Sequence, residues 1–192
     1  VSVDLSATIK RPFDLDAFVT TTRATLGQLT GSAPPELRVV AGRTYRQGQM
    51  VDPGAAVPCG SATTLGDPDD ASLRAPAPGR GYWVLMPDDL PDEVRFFIHE
   101  NREHLPFDPL TAVFSPARTP VGVTVAAAAA ISAAIEGRGQ LVDLEIRFVE
   151  PPVDDPRRFV EMTKRPPSDT PFARACLDWV RQFQSLDGWP PG

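Results

Sequence analysis

Apolar and polar residues alternate at the start of the chain. Val1, Val3, Leu5, Ala7 and Ile9 fall on one side of an extended backbone, which predicts a half-buried strand. The period then changes. Leu15, Phe18, Val19, Thr22, Leu26 and Leu29 recur at helical spacing, with Asp14 placed to cap the helix and Gly31 to end it. Leu37 to Tyr45 reads as a second strand. Gly81 to Met86 and Glu93 to His99, rich in branched and aromatic residues, read as two more. The turn-like Pro87–Asp92 connection is short enough to make them an antiparallel pair. Leu110 to Ser115 predicts a further strand.

Three later helices are announced by one device. Thr119-Pro120, Asp155-Pro156 and Thr170-Pro171 each offer a capping oxygen followed by a proline, which has no N–H to leave unpaired in a first helical turn. The first helix runs from Pro120 to about Glu136 and stops at Gly137; its alanines suit close packing on a sheet. The second covers Pro156 to Lys164, before Pro166-Pro167. The third carries Phe172, Ala175, Cys176, Trp179, Val180 and Phe183 on one side. Between the first two, Leu141 to Val149 predicts a strand, with Leu144, Ile146 and Phe148 on one face and Asp143, Glu145 and Arg147 on the other.

The order is β-α-β, a long connection, then β-β-β-α-β-α-α. Short links between strands favour an α+β fold with a mostly antiparallel sheet and helices on one face. Each half contains a strand, a helix and a strand, so two related β-α-β halves are expected, although no residue-level repeat accompanies them. Residues 1–192 are read as a single domain with a Pro/Gly-rich excursion over 47–80. Those 34 residues hold five prolines and five glycines, and either hide a short hairpin or cross the surface as a functional loop.

Composition narrows the function. The net charge of −6 disfavours nonspecific nucleic-acid binding, which needs clustered Lys and Arg. No apolar run is long enough for a membrane span, and the first residues do not look like a secretion signal. Two cysteines, Cys59 and Cys176, make neither a disulfide framework nor a zinc knuckle, which fits a reduced, cytoplasmic protein. Seventeen of the 19 basic residues are arginines; with abundant Ala, Pro and Asp, that is a coding bias of GC-rich, bacterial type.

Both histidines lie in His99-Glu100-Asn101-Arg102-Glu103-His104. On a helix, His99 would sit over Glu103 and Glu100 over His104. The histidines are five apart, not the four that put a zincin pair on one face, so no metal is expected there. As a polar strand end and loop, His99, Glu100, Arg102, Glu103 and His104 are instead candidate contacts for a ligand or partner. Cys59-Gly60-Ser61 matches only the start of a papain-type nucleophile signature. Gly79-Arg80-Gly81 and Gly137-Arg138-Gly139 precede strands, the wrong order for a phosphate loop, and read as turns. Neither the acidic group Asp67, Asp69 and Asp70 nor Asp88, Asp89, Asp92 and Glu93 has calcium-loop spacing. Arg157, Arg158, Lys164 and Arg165 form a small basic patch. No cofactor is expected.

The general layout and acidity are similar to those of small bacterial immunity proteins, which are commonly acidic α+β domains that block a toxin by binding it. That resemblance implies a non-enzymatic protein acting through protein–protein contact, with a basic protein or a second copy of itself as partner, and it assigns no residue. The alternative expectation is a small-molecule binder or enzyme with a pocket near His99–His104, over which the 47–80 segment could close as a lid.

Overall fold

A computed structural model describes residues 4–42, 45–46, 49–50, 53–56, 64–66, 83–100, 110–142 and 147–186. The strands are β1 (Leu5–Ile9), β2 (Phe13–Asp14), β3 (Leu37–Gly42), β4 (Tyr45–Arg46), β5 (Gln49–Met50), β6 (Pro53–Ala56), β7 (Thr64–Leu65), β8 (Trp83–Pro87), β9 (Val94–Glu100), β10 (Leu110–Pro116) and β11 (Leu141–Val142). The helices are α1 (Leu15–Thr30), α2 (Pro120–Glu136), α3 (Pro156–Thr163) and α4 (Phe172–Val180).

Seven strands form an antiparallel sheet in the order β11-β1-β10-β9-β8-β3-β6. Successive antiparallel pairings make β1 and β3 run the same way, and likewise β10 and β11. Both helical crossovers, β1-α1-β3 and β10-α2-β11, are therefore split β-α-β units. They differ in span: three strands separate β1 from β3, and one separates β10 from β11.

The alternation in β1 is realised. Leu5, Ala7 and Ile9 are at most 1% exposed and stand opposite Phe114, Ala112 and Leu110 of β10. α1 and α2 lie on this side of the sheet. Phe18 of α1 meets Phe96 and Phe114 at ring-centre distances of 5.5 and 6.2 Å. α2 is apolar all round, and every residue from Val121 to Ala134 is buried. A helix with no polar side belongs inside a protein. It packs on the sheet below and on α1, α3 and α4 around it. Its two mid-helix hydroxyls are satisfied locally: Thr124 and Ser132 donate to the carbonyls of Pro120 and Ala128 at 2.7 Å. Phe148, Phe159, Trp179 and Phe183 form an outer aromatic cluster, and the Trp179 indole donates to the Thr163 carbonyl at 3.1 Å.

Two of the three expected caps form as read. Thr119 accepts from the Gly122 N–H at 2.9 Å and Asp155 from the Arg158 N–H at 2.7 Å, while Asp14 caps α1 through the Asp16 and Ala17 N–H groups. The third differs. α4 starts at Phe172 with Pro171 in the cap position and no side-chain cap bond. The carbonyl of Thr170 is engaged elsewhere, accepting from the Ser32 hydroxyl at 2.6 Å. The predicted strand over Leu141–Val149 is also shorter. β11 ends at Val142, residues 143–146 lie outside the described set, and Arg147 takes a left-handed φ of 52°, which no strand residue has. Phe148 is still buried. Within the 47–80 segment, β5 completes a small hairpin with β4, β6 extends the main sheet beside β3, and β7 pairs with β2; the rest lies outside the described residues.

The turn Gly137-Arg138-Gly139 is a packing device. A Cβ on Gly139 would sit 1.7 Å from the Thr8 carbonyl oxygen, so only glycine allows this approach to β1. The Thr8 N–H donates to the Gln140 carbonyl, and the Gln140 N–H to the Thr8 hydroxyl, both at 2.9 Å.

Candidate functional site: the sheet face opposite the described helices

A residue on a strand points to the face opposite its neighbours. With Phe96 and Ile98 turned to the helices, Arg95, Phe97 and His99 of β9 point the other way. No described helix covers that side. Register places their neighbours: Val113 stands opposite Phe97, Thr111 opposite His99, and Ser115 opposite Arg95, while Ser6 lies beyond Val113 and Val142 beyond Ser6. A row Val142–Ser6–Val113–Phe97 thus crosses four strands, mostly apolar and not fully buried. Phe97 is 39% exposed, one of two large hydrophobic side chains so exposed among the described residues.

Polar groups border this row. The rings of Phe97 and His99, two residues apart on one face, lie 5.8 Å apart at 34°. Across the strand pair, the Thr111 hydroxyl oxygen is buried and has no hydrogen-bond partner among the described residues. On the other flank Arg95 holds Glu93 with its Nη2 at 2.6 Å and its Nε at 3.0 Å. Further along, Val84 and Val40 form a small separate cluster with Met86, and Arg38 reaches Asp88 at 3.5 Å.

The predicted site residues fare unequally. His99 and Glu100 are successive residues of β9, in register with Thr111 and Leu110, so the helical stacking considered for 99–104 does not start there. Arg102, Glu103 and His104 lie outside the described residues, as do Cys59 and Asp67, Asp69 and Asp70. Among the described residues no group of three or more His, Cys, Asp or Glu side chains could hold a metal ion.

The second acidic group is not a cluster. Asp88 pairs with Arg38, Asp89 turns the chain at φ 61°, and Glu93 pairs with Arg95. Asp92 is buried and accepts from the Thr119 hydroxyl at the start of α2, where a carboxylate meets the positive end of the helix. Cys176 is buried on α4. Burial pushes its thiol up to about 12, against a smaller opposing contribution from the Thr124 side chain; such a thiol is inert.

Sequence reasoning overlooked Phe97, and a signal for it exists. Phe96 and Phe97 are adjacent in a strand, so they face opposite ways, and a sheet covered on one side leaves one of them outside. Comparison with family models, with curated proteins and with solved structures finds no match to this chain.

Proposed function

We propose that the protein is a non-enzymatic binding protein that docks a basic protein on the face of its sheet that no described helix covers. The observation that carries this reading is Phe97, a large aromatic side chain left 39% exposed at the end of a mostly apolar row on a structured strand. Aromatic side chains on rigid elements are the usual anchors of protein interfaces, ringed by polar contacts that exclude water. Here Arg95–Glu93 and His99 form that surround. The net charge of −6, with the exposed carboxylate of Asp89 at the β8–β9 turn, favours a partner of opposite charge and speeds its approach. The similarity of layout to immunity proteins agrees with such a role.

Affinity purification from a native lysate tests it. The tagged protein retains a stoichiometric protein of high isoelectric point at low salt, and retention falls as salt rises because the encounter is electrostatic. A tagged protein that retains no stoichiometric partner, in low or high salt, contradicts the reading.

One observation favours a second reading, a small polar ligand at the His99 end of the same face: the buried, unpartnered Thr111 hydroxyl opposite His99, since such groups are usually satisfied. Retention of a small molecule after native mass spectrometry, lost in Thr111→Val, supports it. Its absence leaves the face to a protein.

A further inference from the structure

On the far side of the helical layer a second surface has the opposite character. α3 packs on α1 and α2 through Phe159, Val160 and Thr163 and turns Arg157, Arg158, Glu161 and Met162 to solvent. Lys164 and Arg165 follow at once, also exposed. Lys164 is paired with Glu161 at 2.7 Å, but among the described residues the guanidinium groups of Arg157, Arg158 and Arg165 have no carboxylate partner. Three free arginines in a stretch of nine residues stand out on a chain of net charge −6. Amid them Met162 is 52% exposed, the most exposed large apolar side chain among the described residues.

A hollow of about 620 Å³ adjoins the patch, open to solvent, between the last turns of α1 and the segment after α3. Ala24 and Gly27 line one wall and Pro166 and Pro167 the other, with Lys164 and Arg165 at the rim. The walls are firmly joined: the Arg165 N–H donates to the Gln28 carbonyl at 3.1 Å and the Ser168 N–H to the Gly31 carbonyl at 2.7 Å. Gly31 takes φ 68°, and a Cβ there would lie 2.1 Å from the Pro166 carbonyl oxygen. The hollow is a fixed depression beside a cationic strip.

We propose that the exposed side of α3 and this hollow dock an acidic peptide segment bearing apolar side chains. Free guanidinium groups match carboxylates in geometry and charge. Met162 and the Ala/Gly/Pro walls give an adaptable and a rigid apolar seat between them. α3 is eight residues long, about 12 Å, so a short extended segment spans the strip. Peptide is favoured over nucleic acid by what surrounds the patch. Asp154 and Asp155 precede it and Asp169 follows it, all exposed, and a long phosphate backbone running past the strip would meet their carboxylates. This surface is independent of the sheet face and stands or falls separately.

The test is an NMR titration of the isotope-labelled protein with a short Glu/Leu/Pro peptide, its Gln-for-Glu counterpart and an oligothymidylate of equal length. The acidic peptide shifts the amides of residues 157–165 together with Gln28 and Gly31, and high salt reverses this. R157Q/R158Q/R165Q binds it at least about tenfold more weakly, since three exposed charges are removed at a modest factor each. M162A weakens it as well. The four substituted positions, 157, 158, 162 and 165, are all exposed, so melting temperatures stay unchanged, and a lowered one excludes that variant in favour of the single substitutions. Absence of localised shifts, or equal binding of the Gln counterpart, overturns the proposal. Tighter binding of the oligothymidylate overturns it in favour of a nucleic-acid contact, and unchanged affinity in M162A overturns its apolar half.

Discussion

Phe96 and Phe97 are neighbours in one strand and live in different surroundings. Phe96 is 1% exposed and packs its ring against Phe18, Trp83 and Phe114. Phe97 is 39% exposed and has Val113 and His99 beside it. The residue type is the same, and so is the backbone; what differs is the cover. Two layers of helices press on one face of the sheet, and no described helix lies on the other. The covered face gains stability from burying apolar surface, of the order of 25 cal/mol per Å². At Phe97, on the face with no described helix, that apolar surface is still partly in water, so its burial remains available to a partner. The same aromatic residue type is therefore core on one side of β9 and partly exposed on the other.

The largest effect that probes this contrast is on the covered side. Phe96→Ala empties a site lined by three aromatic rings and should cost about 3–5 kcal/mol in chemical denaturation. A loss below about 1 kcal/mol would mean that the covered face is not the core.

Cys176 offers a second probe of cover. Its thiol is pushed up to about 12 in the folded protein from an unfolded value of 9.0, so the folded state holds the proton more tightly. The associated stability is fully present below pH 9.0 and is lost as pH rises towards about 12. Relative to Cys176→Ala, the protein should lose about 1.4 kcal/mol per pH unit across that window. In native buffer at neutral pH a thiol reagent should label it only after unfolding. Rapid native labelling would show that the covered side admits solvent.

A third comparison sets two threonines against each other. The Thr119 hydroxyl accepts from the Gly122 N–H and donates to buried Asp92, so Thr119→Ala removes a cap and leaves a buried carboxylate short of a donor, at about 1–3 kcal/mol. Thr111, on the opposite face of the sheet, has a buried hydroxyl with no partner among the described residues. Thr111→Val should therefore be neutral or slightly stabilising, within about 0.5 kcal/mol. Equal losses in the two variants would erase the distinction between the faces.

Much of the covered side was legible in the sequence because its signals are local. The period-two run ending at Ile9, the helical run from Leu15 to Leu29 and the Asp14, Thr119 and Asp155 caps each depend on residues within a few positions. The antiparallel α+β layout followed from short links. Three features were less legible for physical reasons. The pattern from Leu141 to Val149 records which side chains are apolar but not that Arg147 adopts a left-handed backbone, so it overstates the strand's length. Thr170 has the composition of a cap, yet its carbonyl is drawn to Ser32, a partner 138 residues away. A two-residue strand such as β7 lies in Pro/Gly-rich sequence and pairs with β2, a segment distant in the chain. Attention to ionisable side chains led to His99–His104, of which His99 alone is seen to border the candidate face. The apolar anchor beside it carries no chemical motif and emerges only from the pairing of β9 with β10.

The central claim rests on Phe97, and one paired measurement on Phe97→Glu tests it: the denaturation midpoint and the retention of a lysate partner, taken on the same preparation. The account predicts a stability within about 0.5 kcal/mol of the parent protein, as for a surface substitution, and loss of the partner that the parent retains. A fall in stability of about 3 kcal/mol or more would place Phe97 in the core, and a folded variant that retains the partner undiminished would remove this face of the sheet from recognition.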